Sequence, residues 1–543
     1  MLGNRWRQFL FLSLTAIFML PVLAVMASWL SLGEPGGQAW QILREMGQTV
    51  LPDYLLTTLY LCVMVAVGIV AVGLSSAVVV TLFEFPGRRF FEWALLLPLA
   101  APAYVVAYAY TDFLQFSGPL QTFLRSATGL QGRVFPEVRQ VGGAAWVFVF
   151  TLYPYVYLLA RAALVERAAH LMEAARLLGA PLRRRILEVA LPLTRPAVAA
   201  GTALALMETL ADFGVSSYFG IQTFTAGIYK AWLSMDNRLA AAQLATVLLG
   251  LVSCLLFLEH RSQARMRFAV TRGARAGALD CRPMRLMGRF RVLAWLVCTV
   301  PVLMGFVLPV LFMLRPLIAD WSLLSWVQFL NWTLNSVRLG VVSAALAVTL
   351  AVWLAFNLRR RPDRPTRWAV RLVGLGYAVP GAVIVVGLLL PVGWLQAMVP
   401  ETGVGYLMTA TVFGLVWAYL VRFCAVALQS VQSGYARMPI SFDDSARMLG
   451  VGDLALLRRV HWPMLRRSTA VAALLVFVDV MKELPATLVL RPFNSDTLAV
   501  VAYQLARDER LGEAALPSLT LVLIGLIPVI MLTRTLKNAD SST

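Results

Sequence analysis

A short sequence pattern occurs twice in this chain of 543 residues, and the two copies lie 271 residues apart without a gap. The copies read Glu173-Ala174-Ala175-Arg176-Leu177-Leu178-Gly179 and Asp444-Ser445-Ala446-Arg447-Met448-Leu449-Gly450. A proline follows thirteen residues after each glycine, at Pro192 and Pro463. Upstream, Pro102 corresponds to Pro380 at an offset of 278. Repetition along most of the chain predicts two related halves with the same fold.

Long apolar runs indicate that these halves lie in a membrane. The chain is 59% hydrophobic and 14% charged, against roughly 25% charged for a soluble domain. Runs of about 20 apolar residues can cross a bilayer. They are predicted near 9–31, 54–82, 91–112, 141–163, 196–219, 239–258, 292–314, 335–357, 368–392, 404–427, 468–490 and 516–533. The sequence therefore predicts an all-α polytopic membrane protein with about twelve transmembrane helices, six in each pseudo-symmetric half. The predicted domains are a first half over 1–260, a basic linker over 261–290 and a second half over 291–543.

Basic residues are distributed unevenly between the two sides of the predicted bundle. The formal net charge is +19, with 47 Lys and Arg against 28 Asp and Glu. With the N-terminus inside, inner loops hold most of the basic residues, including Arg183–Arg185 and Arg359–Arg361. This positive-inside bias predicts that both termini are cytoplasmic. The segment from Glu259 to Arg291 contains nine Arg and is interpreted as a flexible linker at the anionic inner leaflet. Membrane lipid, and not nucleic acid, is the predicted partner of this charge.

Two further features bear on processing and on metal binding. Arg5 and Arg7 precede the first apolar run, and Val25-Met26-Ala27 resembles a cleavage site, so this run could be a signal peptide. Against this, the run is long for a signal core, and cleavage would leave eleven spans and break the symmetry.

The five Cys include no C-x-x-C pair, and the three His all fall on the cytoplasmic side. No metal site and no cofactor are predicted.

The repeated pattern falls in the cytoplasmic connection between the fourth and fifth predicted span of each half. The first copy reads as a helix from 166 to 178, a break at Gly179-Ala180-Pro181, and a second helix from 182 that ends at Pro192. Glycine after the last helical residue accepts the left-handed conformation, and proline suits the first turn of the next helix. A single copy could be a simple connector. Two copies at identical spacing on one side of the membrane instead indicate docking elements for a partner with two equivalent sites.

This pattern, E-A-A followed by three residues and G, resembles the signature of the permease subunits of binding-protein-dependent ABC importers, which have the type I importer permease fold. In that family the loop forms a coupling helix that docks in a groove of an ATPase subunit. The resemblance implies ATPase-coupling roles for equivalent residues of the two halves: Glu173, Ala174, Ala175 and Gly179, then Asp444, Ser445, Ala446 and Gly450. The second copy departs from the pattern, since Asp444 stands for the usual Glu and Ser445 for the first Ala.

The chain lacks the sequence elements needed to hydrolyse ATP itself. A phosphate-binding loop needs G-x-x-x-x-G-K-[ST], but none of the three Lys follows Gly or precedes Ser or Thr. We therefore interpret the chain as a transport subunit and not as an enzyme. The resemblance implies two copies of a cytoplasmic ATPase subunit, a soluble substrate-binding protein at the outer face, and a location in the bacterial inner membrane.

Charged residues also lie inside two of the predicted spans. Glu208 and Asp212 stand four residues apart in the fifth span, and Asp479 and Glu483 hold the equivalent positions of the eleventh, next to Lys482. A spacing of four residues puts each pair on one helix face. Ionisable groups in lipid are costly and usually face a cavity or one another. Two interpretations stay open: an interhelical network around Lys482, or an acidic lining of the path of a cationic substrate.

Two stretches resemble the fused permeases of ferric iron importers. They are Ala211-Asp212-Phe213-Gly214 with the residues 222–229, and 482–487 with the residues 490–493. Similar fused permeases carry thiamine or phosphonates, so ferric iron is the expected cargo and another small solute is the alternative. A proton-coupled major-facilitator carrier also has six plus six spans, but it is not expected to repeat a helix-turn-helix loop. An integral-membrane enzyme would need a cluster of catalytic groups, and the sequence offers only the two acid pairs.

Overall fold

The computed structural model describes residues 2–29, 38–165, 169–267, 284–323 and 325–541. These ranges are mostly helical, as expected for a chain in lipid, where helices satisfy their backbone hydrogen bonds internally. The sheet within them has two strands of two residues, β1 (Phe83–Glu84) and β2 (Met284–Arg285), paired in parallel. The predicted all-α fold is confirmed.

Ten helices of the described ranges are long and apolar enough to cross a membrane. They are Phe9–Ala27, Leu51–Leu82, Val141–Ala163, Leu182–Ala211, Arg238–Glu259, Arg289–Ala319, Trp326–Arg360, Gly381–Met398, Phe413–Ala436 and Leu511–Met531. The pair Arg88–Ala100 and Ala103–Thr128, bent by 89°, would make an eleventh. The helix Trp462–Lys482 has 21 residues but is more charged, since it includes Arg466, Arg467, Asp479 and Lys482. Together these elements correspond in position to the twelve predicted spans.

Two of the predicted spans are broken at equivalent prolines. Pro102 precedes the helix Ala103–Leu114, and Pro380 precedes the helix Gly381–Met398. The backbone angles nearly coincide, with φ −59° at both positions and ψ 141° and 142°. Proline lacks an amide hydrogen and its ring disfavours a helix that continues through it. Matched prolines thus produce matched breaks, and the prediction of continuous spans over 91–112 and 368–392 was wrong.

One compact unit comprises residues 1–48, 227–249 and 325–501. Its N-terminal helix, Leu2–Ala27, packs against Gly381–Met398. Phe11 is 1% exposed and stacks on Trp353 with 4.6 Å between the ring centroids. The helix from the start of the chain therefore belongs to a core built mainly from the second half. Its other helices are Gln38–Gln48, Trp326–Arg360, Arg364–Gly374, Val404–Thr409, Phe413–Ala436, Ser441–Met448, 453–482 and Pro485–Leu490.

The other compact unit comprises residues 49–226, 250–324 and 502–543. Its centre is the helix pair Leu51–Leu82 and Val141–Ala163, which pack closely because Gly73 lies against the backbone of Tyr153. Its other helices are Arg88–Ala94, Ala103–Leu114, Pro119–Thr128, Ala169–Leu177, Leu182–Ala211, Gly214–Phe219, Arg289–Ala319 and Leu511–Ser541. Three of the five boundaries between the units fall inside helices, namely Phe224–Tyr229, Arg238–Arg267 and Leu498–Arg507.

The compact units and the halves of the sequence repeat are divided differently. Residues 1–48 and 227–249 come from the first half but pack with 325–501, while residues 502–543 come from the second half but pack with 49–226. The compact units therefore group residues from both halves, and the boundaries 1–260 and 291–543 stay a prediction about the sequence repeat.

The predicted linker over 261–290 is structured at both of its described ends. The helix Arg238–Arg267 continues into it, and residues 268–283 lie outside the described ranges. At the far end β2 pairs with β1, and the Leu286 N–H donates to the Glu84 carbonyl at 3.0 Å. The interpretation of the whole segment as flexible was wrong at these ends, because backbone hydrogen bonds fix them.

Candidate functional site

The two copies of the repeated pattern form the same local structure. In the first copy the helix Ala169–Leu177, called here the first loop helix, leads into Gly179 with φ +79°. The Gly179 N–H donates to the Arg176 carbonyl at 3.0 Å, and the Ala180 N–H donates to the Ala175 carbonyl at 3.0 Å. These two bonds form a Schellman motif, which satisfies the last carbonyls of a helix and uses a left-handed residue.

The second loop helix, Ser441–Met448, ends in the same way at Gly450, where φ is +73°. The Gly450 N–H donates to the Arg447 carbonyl at 3.0 Å, and the Val451 N–H donates to the Ala446 carbonyl at 3.0 Å. Both hydrogen bonds have the same positions in the pattern as in the first copy. The predicted left-handed glycine is therefore confirmed in both loops.

Each loop helix presents two large apolar side chains just before its glycine. Leu177 and Leu178 are 83% and 88% exposed, and Met448 and Leu449 are 90% and 82% exposed. Scattered exposed apolar residues are normal, but adjacent pairs at the same position of two copies indicate a contact surface. We call these two pairs the apolar tips of the loops.

The other residues of the predicted coupling set lie around these tips. Glu173 pairs with Arg176 at 3.6 Å, and Asp444 pairs with Arg447 at 3.6 Å. Both acids lie at the surface, and exposed pairs of this kind contribute little to stability. The small residues differ in exposure: Ala174 and Ser445 are exposed, Ala175 is half-buried and Ala446 is buried.

The helix that follows each turn continues into the membrane. It runs from Leu182 to Ala211 in the first loop and over 453–482 in the second. The prediction that it stops at Pro192 was wrong. A π-helical turn, Arg185–Ala190 or Leu457–His461, precedes Pro192 or Pro463. The wider turn contains an extra residue, which lets the backbone accept a proline without the usual clash.

Asp212 and Glu483, the second acids of the predicted membrane pairs, lie just beyond their helices. Their ψ angles are 132° and 120°, so the backbone is extended at both. Asp212 Oδ2 accepts from the N–H of Val215 at 2.9 Å, and Glu483 Oε1 accepts from the N–H of Ala486 at 2.9 Å. Each carboxylate lies one residue before the N-cap and accepts from amides in the first turn of the next short helix, as a capping side chain does. The expectation that each acid pair shares one helix face was wrong, because the helix ends before the second acid.

The remaining predicted membrane charges, Glu208, Asp479 and Lys482, lie in the last turns of the same two helices and are half-buried. All three take part in polar or electrostatic interactions. Arg422, which the sequence analysis overlooked, pairs with Glu483 at 3.4 Å; the two side chains are 11% and 2% exposed. The signal was present in the sequence, since Arg422 interrupts the apolar run 404–427.

Comparison with known proteins agrees with this geometry. A family model described as the binding-protein-dependent transport system inner membrane component matches residues 69–267, which contain the first loop. The Fe(3+)-transport system permease protein FbpB 2 of Haemophilus influenzae is 26% identical over 495 residues, or 89% of this chain and 90% of the relative. The chain is a permease subunit of a binding-protein-dependent ABC importer.

Two other relatives of the permease are informative. The probable ABC transporter permease protein y4fN of Sinorhizobium fredii is 25% identical over 509 residues, covering 88% of this chain and 87% of the relative. The putative 2-aminoethylphosphonate transport system permease protein PhnV of Salmonella typhimurium is 26% identical over 204 residues, covering 38% and 74%. Because such permeases are transport subunits, ATP hydrolysis belongs to a separate ATPase subunit. A substrate-binding protein is the other partner, and the permease is a multi-pass protein of the inner membrane.

The permease also contains a buried charged cluster at the second loop that the sequence analysis missed. Asp443, in the first turn of the second loop helix, accepts from Arg359 Nε at 2.7 Å and from Arg359 Nη2 at 3.3 Å. His461 Nε2 lies 2.9 Å from Asp443 Oδ1, and His461 Nδ1 lies 3.2 Å from the Tyr435 hydroxyl. Burial raises the pKa of Asp443, but hydrogen bonds from Arg359 and His461 outweigh it and hold this pKa below its usual value.

Arg359 uses all of its donor directions in this cluster. Besides the two bonds to Asp443, its Nη1 donates to the carbonyls of Tyr435 and Met438 at 3.2 and 3.1 Å, and its Nη2 donates to the Pro439 carbonyl at 2.9 Å. These carbonyls lie at and just beyond the end of the helix Phe413–Ala436, where a cation is favourable. Arg359 therefore joins the ends of two membrane helices to the start of the second loop helix.

Proposed function

We propose that this permease imports ferric iron delivered by a soluble binding protein, and that its two loops couple transport to two copies of the ATPase subunit. The observation that carries the proposal is the pair of apolar tips, Leu177-Leu178 and Met448-Leu449, on two loop helices with the same Schellman motif. Two equivalent tips suit two equivalent grooves on a pair of ATPase subunits.

The tips have the physical properties of docking elements. Burying a Leu or Met side chain contributes about 1.5–3 kcal/mol, so two such residues per loop supply a useful anchor. The capped turn fixes the backbone beneath each tip, which lowers the conformational entropy lost on docking. Glu173 and Asp444 lie on the same helices and would form a polar rim, the usual surrounding of an apolar contact.

The helix that follows each turn would transmit the motion of the ATPase. The first, Leu182–Ala211, has 30 residues, and an α-helix of that length spans about 45 Å. It begins beside the docked loop and ends at Ala211, just before Asp212. A tilt imposed at the loop would therefore reach the far end of the helix, and rocking of the two loops would alternate access to the substrate path.

We place the half-buried charges Glu208, Asp479 and Lys482 along this path, where the two acids would attract a cation. Asp212 and Glu483 would shape the path indirectly, since their carboxylates fix the chain breaks that follow the two helices. The positive-inside bias supports an orientation with both termini in the cytoplasm and with the basic inner loops at the anionic lipid surface.

Iron is proposed as the cargo because a Fe(3+) permease is similar over nearly the whole chain. A phosphonate is the second candidate, because a permease named for 2-aminoethylphosphonate transport is similar over 204 residues. The two cargoes differ in charge, so competition separates them. Excess ferric chelate should compete with uptake, and excess 2-aminoethylphosphonate should not.

The test is ATP-dependent uptake into proteoliposomes that contain the permease and its co-purified ATPase subunit, with the binding protein added outside. We expect accumulation of radioactive ferric iron only with ATP inside and binding protein outside. Uptake that is driven by a proton gradient without ATP would overturn the proposal. ATP-driven uptake of phosphonate without iron would replace the cargo and leave the coupling assignment intact.

A further inference from the structure

At equivalent described positions, the two loops are surrounded by different chemistry. At the second loop the contacts come from Arg359, Tyr435, Asp443 and His461, which are charged or polar. The offsets of 278 and 271 give the equivalent positions in the first half as Thr81, Leu164, Met172 and Ala190. Leu164, Met172 and Ala190 are 1%, 8% and 0% exposed. The same four places thus carry a buried polar cluster in one half and mainly apolar packing in the other.

A neighbouring pair shows the same difference. Arg360 forms an ion pair with Asp453, at the start of the helix that follows the second turn. Their counterparts in the first half are Leu82 and Leu182. The correspondence is structural as well as numerical, because the helices Leu51–Leu82 and Trp326–Arg360 end at equivalent residues. The second loop is therefore linked by charge at its first helix and again after its turn.

From this contrast we propose that Arg359, Asp443 and His461 are positioning residues that hold the second loop helix in a fixed orientation, while the first loop is the more adjustable of the two. The proposal rests on the coupling role given to the loops above. The two ATPase contacts of this single-chain permease would then differ in how rigidly the permease holds each loop, although the apolar tips match.

Directional bonding gives the physical reason. The Arg359 fork meets a carboxylate and three backbone carbonyls, and these bonds weaken steeply when distance or angle changes. A histidine with its proton on Nε2 donates to Asp443 and accepts from Tyr435, which completes the cluster. Apolar packing of Leu164, Met172 and Ala190 is non-directional, so it tolerates small shifts of the first loop helix. If the second loop helix moved, the backbone carbonyls that accept from Arg359 would lose these hydrogen bonds.

The first experiment compares the two loops in the permease–ATPase complex by amide hydrogen exchange. We expect the amides of the second loop helix to exchange more slowly than those of the first loop helix. In Asp443→Asn the second loop helix should exchange faster while the first does not change. Equal exchange in the two loops of the parent, or an Asp443→Asn effect spread over the whole chain, would overturn the proposal.

The second experiment measures ATP hydrolysed per ferric ion transported. Arg359→Lys keeps the charge but loses the planar fork, and we expect this ratio to rise by about fivefold or more. Arg361→Lys is the matched control, since Arg361 is exposed in the same run, and its ratio should equal that of the parent. An unchanged ratio in Arg359→Lys, with the ATPase subunit retained, would overturn the positioning role alone.

A further variant separates loss of positioning from misfolding, because it removes the charges of Arg359 and Asp443 together. The fourfold change Arg359→Thr, Tyr435→Leu, Asp443→Met and His461→Ala installs the first-half residues and leaves no unpaired buried charge. We expect it to fold and to retain the ATPase subunit but to show the same raised ratio. A folded fourfold variant with the parental ratio contradicts the proposal. Gly450→Val in the otherwise unchanged chain tests the coupling assignment separately. Loss of the ATPase subunit from this variant supports the assignment, and retention contradicts it.

Discussion

Gly179 and Gly450 hold the left-handed conformation that shapes each loop, and a β-branched residue there costs roughly 1–2 kcal/mol of conformational strain. A Cβ added to either glycine would meet no atom of the described residues within 4 Å, so the cost is conformational and not steric. We expect Gly179→Val with Gly450→Val to insert normally but to lose uptake and to release the ATPase subunit on gel filtration.

The matched control for this prediction is Gly452→Val. Gly452 lies in the second loop, has φ −69° and also has open space around it. Because valine accepts that φ, uptake and ATPase retention should stay near those of the parent. Normal uptake and retention in the double glycine variant would sink the coupling assignment.

Asp212 and Glu483 give a second prediction at the residue scale. Removing a cap costs about 0.5–2 kcal/mol, whereas removing one partner of a buried ion pair costs about 3–5 kcal/mol. Glu483→Ala should therefore lower the melting temperature more than Asp212→Ala, because the former also removes the carboxylate that pairs with Arg422. The measurement is thermal unfolding in detergent, with Glu188→Ala on an exposed surface pair as the control.

Ferric uptake per folded molecule then distinguishes a structural role of the membrane acids from a role in the substrate path. Neutral variants of Glu208 and Asp479, to Gln and Asn, should lower specific ferric uptake with the ATPase subunit still bound, because the docking loops lie elsewhere in the chain. If specific uptake stays unchanged and only the melting temperature falls, these acids do not line the path.

At the scale of single elements, the apolar tips give a prediction about docking. Replacing Leu177 and Leu178 by Ser removes exposed apolar surface and no buried contact, so the stability of the permease should stay the same. Retention of the ATPase subunit should fall, and it should fall further when Met448 and Leu449 are also replaced. Phe493→Ser, at a side chain that is 93% exposed, is the control.

Local signals predicted these elements better than distant ones. The capped loop helices followed from glycine spacing, because the left-handed preference of glycine is a property of the residue itself. The breaks at Pro102 and Pro380 were missed because apolar length alone does not register a proline within a run. The pair formed by Arg422 and Glu483 joins residues 61 positions apart, and no local pattern reveals which distant groups will meet.

At the scale of the whole molecule, the division into compact units predicts how the chain can be cut. Fragments 1–267 and 284–543 separate the helix Leu2–Ala27 from its partner Gly381–Met398. Each fragment expressed alone should be sensitive to protease, because it exposes the surface that the other would cover. Co-expression should restore a protected complex with ferric uptake.

An uncut chain with a short tag inserted within 268–283 serves as the control for the cut. It should match the parent in protease resistance. Suppose that the fragment 1–267 alone resists protease as well as the full chain does. That result would contradict the packing of residues 1–48 against residues of the second half.

The position of the N-terminal helix also has a consequence for biosynthesis. Leu2–Ala27 leaves the ribosome well before its partner, since the helix Gly381–Met398 that covers it is made about 350 residues later. At about 5–20 residues per second, the delay is about 20–70 s. Through this interval the Phe11 face must be sheltered by lipid or by the insertion machinery, so the yield of folded permease depends on how long a nascent helix can wait for its partner.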